Sequence, residues 1–254
     1  MKIPPDHPRA EALKIRERLV RGFEDGYVVP QGLIAQGRGE VFDYLIGEKT
    51  IPPAREAIKA AAAAFKLAEH PVISVNGNTA ALCPEDLVEL SEVTGAPLEV
   101  NLFHRTEDRV EKIAETLREA GADRVLGADP EHLVRLPNLS SHRAVVDDRG
   151  IYRADVVLVP LEDGDRTRAL KELGKTVVAI DLNPLSRTAR DADITIVDNV
   201  VRCVRKITRE YERMDPDRAK GVLREYDNGR VLARVLDHIR ERLRVLADEA
   251  AGAT

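Results

Sequence analysis

Three short apolar runs set the tightest limits on how this 254-residue chain can fold. Val156-Val-Leu-Val-Pro-Leu161, Thr176-Val-Val-Ala-Ile180 and Ile194-Thr-Ile-Val197 are rich in β-branched residues and almost unalternated. A strand covered on both faces of a parallel sheet reads this way, because neither face is left for water. Each run ends in polar, turn-forming residues: Glu162-Asp-Gly-Asp-Arg-Thr167, Asp181-Leu-Asn-Pro-Leu-Ser-Arg-Thr188 and Asp198-Asn199. Ligands of open α/β sheets bind beyond the carboxyl ends of the strands. Helix capping explains any one tip alone, with Asp163 or Asp165 before a helix over 166–173 and Asn183 before Pro184. Three adjacent polar tips favour a site.

The same strand–helix rhythm starts at residue 70. Strands are expected over 71–75, 98–103 and 124–127, with helices over 84–93 and 107–120 between them. Residues 130–149 lack periodic apolar positions and read as a loop or lid. Before residue 70 the chain reads as helical, over 7–26, 54–69 and the second half of 32–47. After residue 199 it reads as helical again, over 200–214 and 216–246 with a break near Asp227-Asn-Gly229. The expectation is one domain over 1–254. It has a helical N-terminal segment (1–69), an α/β core (70–199) built on a parallel sheet with helices on both faces, and a C-terminal helical tail (200–254). The helical ends exceed what a six-stranded sheet needs as cover, which predicts a homodimer.

Composition narrows the partners. A net charge of −5 offers no basic excess for nucleic acid, and no Trp with 4% aromatics gives no base-stacking surface. The most apolar helix, 57–68, carries Lys59 and Lys66 and is too short to span a membrane. Two cysteines, Cys83 and Cys203, match no redox or metal spacing, and the N-terminus lacks the apolar core of a signal peptide. The setting expected is the cytoplasm.

No G-x-x-x-x-G-K-[ST] occurs, and no G-x-G-x-x-G follows the first strand. Gly37-Arg-Gly-Glu40 reads either as a flexible turn presenting Arg38 to a phosphate or as a helix-start loop. Asn76-Gly-Asn-Thr79 reads as an anion site at a helix start or as a capped turn. Arg105, just past the strand ending at Phe103, suits a phosphate or carboxylate. Glu162, Asp163 and Asp165 place three carboxylates within four residues, which suits Mg²⁺ or the ammonium of an amine substrate.

A resemblance rests on six runs in order: Gly32-Leu-Ile-Ala-Gln-Gly-Arg-Gly-Glu40, His70-Pro-Val-Ile-Ser-Val-Asn-Gly-Asn78, Glu99-Val-Asn-Leu-Phe103, Val159-Pro-Leu-Glu-Asp-Gly-Asp-Arg-Thr167, Ile180-Asp-Leu-Asn-Pro-Leu-Ser-Arg-Thr188 and Ile194-Thr-Ile-Val-Asp-Asn199. On these the chain resembles the archaeal phosphopantothenate synthetases, or 4-phosphopantoate–β-alanine ligases, from residue 3 to about 246. The resemblance implies a Rossmann-like homodimer and an AMP-forming, ATP-dependent ligation through an acyl-adenylate, toward coenzyme A. It implies ATP contacts at Arg16, Arg38, Asp181, Leu182, Asn183, Arg187, Thr188, Asn199 and Val200. Strand-end position and chemistry add a 4-phosphopantoate pocket at Asn76, Asn78, Thr79 and Arg105. Glu162, Asp163 and Asp165 are then expected nearby for metal or amine, and Arg38 and Arg105 for charge stabilisation. Mg²⁺ would offset the triphosphate charge, with Asp163 or Asp165 as its protein oxygen. An NAD-dependent dehydrogenase predicts a glycine fingerprint that is absent. A non-catalytic nucleotide-sensing dimer predicts binding without turnover.

Overall fold

The computed structural model describes residues 4, 6, 7, 9–137, 139 and 141–252. Three helices come first: α1 (Ala10–Glu24), α2 (Pro30–Ile46) and α3 (Pro52–Leu67). The core follows as β1 (Pro71–Val75), α4 (Gly77–Leu82), α5 (Pro84–Thr94), β2 (Leu98–Val100), α6 (Glu107–Glu119), β3 (Val125–Leu126), β4 (Leu133–Arg135), β5 (Val145–Asp147), β6 (Val156–Pro160), α7 (Gly164–Glu172), β7 (Thr176–Ile180), α8 (Arg187–Asp191) and β8 (Ile194–Ile196). Helices α9 (Val200–Glu212), α10 (Pro216–Glu225) and α11 (Asn228–Ala250) close the chain.

Six strands form one parallel sheet in the order β3-β2-β1-β6-β7-β8. With the β4–β5 hairpin set aside, this is the 3-2-1-4-5-6 order of the doubly wound nucleotide folds. Side chains alternate across the sheet with the period of two that a strand imposes. Ile73, Leu98, Leu158, Val178 and Ile196 join the buried cluster that includes residues of α3, α5, α6 and α9. Val72, Val157, Val159, Val177 and Ala179 join the other face, with Leu170 of α7 and Leu136, Val146 and Ile151 of the hairpin segment. The α/β expectation, with helices around a parallel sheet, is met.

Three local expectations are corrected. Residues 130–149 are not a free loop: β4 and β5 pair antiparallel, and Leu136, Val146 and Ile151 are buried against the sheet. Three-residue strands are too short to show a period, so the pattern is invisible in sequence. Asn138 and Ser140 lie outside the described residues. Gly37-Arg-Gly39 is not a turn but the middle of α2, which is helical from Pro30 onward. A Cβ at Gly37 would meet nothing within 4 Å, so that glycine serves no close approach. Finally, α8 is capped by Ser186, whose side chain accepts from Ala189 N, rather than by Asn183. Among the expectations met, Asp163 caps α7 and the tail breaks before Asn228; Thr106 caps α6.

Candidate active site

The sheet order reverses between β1 and β6, the position where doubly wound folds open a crevice. A cleft of about 350 Å³ lies there. Its walls come from the tips of β1 (Asn76, Gly77, Asn78), β2 (Leu102, Phe103, His104) and β6 (Leu161, Glu162, Asp163). Helix α2 adds Gly32, Ala35 and Arg38. Arg109 from α6 and Arg143 from the hairpin complete it.

The tip of β1 is built by local chemistry. Asn76 caps α4 by accepting from Thr79 N, and the Thr79 hydroxyl accepts from Asn76 N, a reciprocal capping box. The Asn76 amide donates across the switch point to Pro160 O at 2.8 Å, which fixes the spacing of β1 and β6. Asn78 donates to Gly32 O at 2.8 Å and ties α2 to the same tip. Gly77 is required by packing: a Cβ there would stand 2.3 Å from Tyr27 O. Both polar ends of Asn76 are engaged in this scaffold, and Thr79 is fully buried beneath it. Only the Asn76 and Asn78 part of the sequence-derived substrate set lines the cleft.

Arg105 is placed differently from the sequence expectation. Its guanidinium turns away to donate to Gly127 O at 2.7 Å and is not among the cleft-lining side chains. The cations that do reach the cleft are Arg38, Arg109 and Arg143. Arg109 donates to Tyr27 O and His104 O, and burial lowers its pKa, with the nearby positive charge of Arg143 lowering it further. A guanidinium destabilised by burial and by a second guanidinium nearby suits an anion. Neither Arg109 nor Arg143 was singled out by sequence. Arg109 reads as an ordinary first-turn residue of α6, and Arg143 lies in the segment without periodicity.

Arg143 is nearly buried and is held from three sides. It donates to Asn101 O at 3.1 Å and to Glu162 Oε2 at 2.8 Å, while Asn101 in turn donates to Val145 O. Its Nε stands 2.8 Å from Glu162 Oε1 and 3.2 Å from Asp163 Oδ2. Arg166, wholly buried behind the cleft, donates to Glu162 and, at 3.1 Å, to Ser74 Oγ. Burial pushes the Glu162 pKa up, and the charges of Arg143 and then Arg166 pull it back. With two guanidiniums against it, Glu162 is a structural carboxylate that fixes Arg143 and is not open to a metal or amine. Asp163 is held below the usual carboxylate range despite burial, because it accepts from Arg166 N and lies near Arg143 and Arg166. Its Oδ2 accepts no hydrogen bond among the described residues. Asp165 faces elsewhere, in an exposed ion pair with Arg187 at 2.8 Å. The three carboxylates therefore do not converge. Among the described residues, the grouping of three possible metal ligands is instead His132, Asp147 and Asp148, where Arg149 already pairs with Asp147 at 2.9 Å.

The residues assigned to ATP fall on both sides of α2. Arg38 faces the cleft above, and its charge helps to offset the burial that raises the pKa of Asp181 at the tip of β7. Asp181 accepts from Ser186 Oγ at 2.5 Å and from Asn183 N at 2.9 Å. Leu182 packs beside Gly39, whose added Cβ would lie 3.5 Å from it. Thr188 donates to Glu162 O at 2.9 Å, which joins the tips of β6 and β7. Arg16 and Asn199 line a second cleft of about 140 Å³ on the other side of α2, with Gln36, Glu40 and Asp43. There Arg16 pairs with Glu40 at 2.7 Å, and Asn199 donates to Asp43 at 3.0 Å. Val200 is buried at the first turn of α9.

A doubly wound sheet with arginines gathered at its switch point is the architecture of a protein that handles phosphorylated small molecules. The sequence profile of the phosphopantothenate/pantothenate synthetase family matches residues 53–242. A Thermococcus kodakarensis protein named 4-phosphopantoate–β-alanine ligase is 54% identical over 98% of this chain and 96% of its own length. Proteins of the same name from Thermococcus onnurineus (54%; 98% and 96%) and Methanosarcina mazei (51%; 97% and 98%) match as fully. The chain belongs to the phosphopantothenate/pantothenate synthetase family.

Proposed function

We propose that this enzyme joins 4-phosphopantoate to β-alanine at the expense of ATP, forming 4-phosphopantothenate, AMP and pyrophosphate. The observation that carries the reading is the Arg38, Arg109 and Arg143 cluster at the switch point, set in a chain that aligns end to end with ligases of that name. A carboxylate oxygen of 4-phosphopantoate attacks the α-phosphorus of ATP and pyrophosphate leaves. The β-alanine nitrogen then attacks the acyl carbon, its proton is lost, and AMP leaves. No covalent bond to the protein is needed, and positioning two reactants supplies several kcal/mol on its own.

In this reading Arg109 and Arg143 receive the phosphate of 4-phosphopantoate, and Asn76 and Asn78 shape its walls. Arg38 receives the ATP phosphates, with Asp181, Leu182 and Asn183 under the nucleoside and Arg187 and Thr188 beside it. Arg16, Asn199 and Val200 lie on the far side of α2, and the nucleotide reaches them around that helix. Asp163 lies at the acidic end of the cleft, its buried Oδ2 3.2 Å from Arg143 Nε, and in this reading its carboxylate meets the ammonium of β-alanine. It also fits one protein ligand of Mg²⁺, which ordinarily takes one or two carboxylates with phosphate oxygens and water. Mg²⁺ would neutralise triphosphate charge there.

The test of the reaction is its products. With ATP, 4-phosphopantoate and β-alanine we expect AMP and pyrophosphate in equal amounts, and no turnover when either organic substrate is omitted. ADP and phosphate would contradict the adenylate route, and nucleotide binding without products would favour a sensing module.

The same reading includes a homodimer in the cytoplasm. Exposed Ile34, Val41 and Tyr44 of α2, and Leu236, Leu243, Val245 and Leu246 of α11, lie on two helices that pack together. Such apolar side chains are costly in water and suit a second copy. Light scattering at micromolar concentration should give twice the chain mass; a single-chain mass would refute the dimer. Cys83 and Cys203, both free and buried, suit a reducing compartment. Among the described residues no helix is long and apolar enough to cross a membrane.

A further inference from the structure

A second concentration of positive charge lies away from the strand tips, outside the clefts assigned above to the reaction. Arg55 and Lys59 of α3, Lys206 and Arg209 of α9, and Arg213 just past the end of α9 line a groove of about 350 Å³ together with Ile58. Glu210 is the one acidic side chain lining it. The protein as a whole is acidic, at −5, so an excess of four positive charges here runs against its average.

The neighbours of these cations make the contrast sharper. On the same helix Arg202 is paired with Asp43 and Asp198, and Arg205 is paired with Asp86. On α3, Glu56 follows Arg55 directly but pairs with Arg230 and Arg234 of α11. Among the described residues, none of the five groove cations has an ion-pair partner within 4.0 Å, and Glu210 pairs with none of them. Acids are thus matched to the other arginines of α9, and the acid of α3, Glu56, is turned to α11 and not to this groove. Like charges at i, i+3 and i, i+4 repel one another along each helix. A bound anion relieves that repulsion, and three arginines offer planar pairs of donors that match phosphate oxygens.

We infer that this groove is a binding site for a small phosphate-chain anion, separate from the catalytic clefts. Its volume is that of a small-molecule site, too small for a folded partner. None of its residues lines the cleft at the switch point or the one behind α2.

The test is calorimetric titration of the full-length protein with inorganic tripolyphosphate. The double variant Lys206→Ala/Arg209→Ala is compared with the parent, and Arg240→Ala/Arg244→Ala on α11 serves as a charge-matched control. Any binding in the catalytic clefts is common to all three proteins. The parent and the α11 control should show one binding event more than the groove variant, or a groove event at least about tenfold tighter. ATP turnover by the groove variant should stay at the parent value. Parallel titration with ADP separates the sources: tighter ADP binding assigns organic phosphates, and tighter tripolyphosphate binding assigns inorganic chains. Identical isotherms for parent and groove variant would overturn the site. Equal losses in the groove variant and the α11 control would overturn it as well, because they would show only diffuse surface charge.

Discussion

Arg143→Ala should cost both fold and reaction. The side chain is almost fully buried and closes a network with Glu162, Asp163 and Asn101. Removing one partner of a buried ion pair leaves the other charge uncompensated, a loss of about 3 kcal/mol or more. Arg166 still faces Glu162, which places the loss at the lower end of that range. The melting temperature should therefore fall by several degrees. Turnover per folded molecule should fall further if Arg143 holds the phosphate of 4-phosphopantoate as proposed, because a charge-assisted donor is lost. About a hundredfold in kcat/KM for 4-phosphopantoate corresponds to roughly 2.7 kcal/mol. KM for ATP should change much less. Arg143→Lys should restore part of the stability and little of the substrate affinity, since an ammonium cannot span Asn101 O, Glu162 and a phosphate together. Parent-like kinetics for 4-phosphopantoate in a folded alanine variant would remove Arg143 from the site.

The second large effect is at Arg38, and it should appear without a stability cost. Arg38 is exposed on α2 and, among the described residues, has no ion pair. Arg38→Ala should leave the melting temperature nearly unchanged, and alanine is itself a good helix residue. It should remove a contact to the ATP phosphates worth roughly 1.5–3 kcal/mol, or about ten- to a hundredfold in turnover. A contact formed mainly in the transition state would show in kcat more than in KM. Arg38→Lys should recover part of the loss. A variant that melts well below the parent yet handles ATP normally would make Arg38 a structural residue of α2.

The sheet was legible because buried parallel strands announce themselves. The runs at 156–160, 176–180 and 194–196 are apolar on both faces, and the structure finds a sheet neighbour for each. The hairpin was not legible, since three-residue strands carry no period. The site divides along a similar line. Strand tips can be located from sequence, so Asn76, Asp163 and Asp181 were found. What a tip residue does depends on neighbours far away in the chain. Asn76 and Thr79 turn out to be bound up in a capping box, the reading that local sequence already allowed. Arg105 reaches Gly127 O, twenty-two residues on, instead of the cleft. Arg143 and Arg109 reach the site only through tertiary packing, so no local signal could have marked them. The paired glycines around Arg38 misled in the opposite direction. A flexible turn and a helix-start loop were the two readings, and helix α2 instead holds both glycines in its middle.

The proposed reaction runs through an adenylate formed between ATP and the carboxylate of 4-phosphopantoate. The most direct measurement follows the oxygen. 4-Phosphopantoate labelled with ¹⁸O in its carboxylate is turned over with ATP and β-alanine, and the nucleotide product is analysed by mass spectrometry. The carboxylate oxygen that attacks the α-phosphorus must leave with it, so AMP should carry one ¹⁸O atom per turnover. Label in inorganic phosphate alongside ADP, or unlabelled AMP, would contradict it.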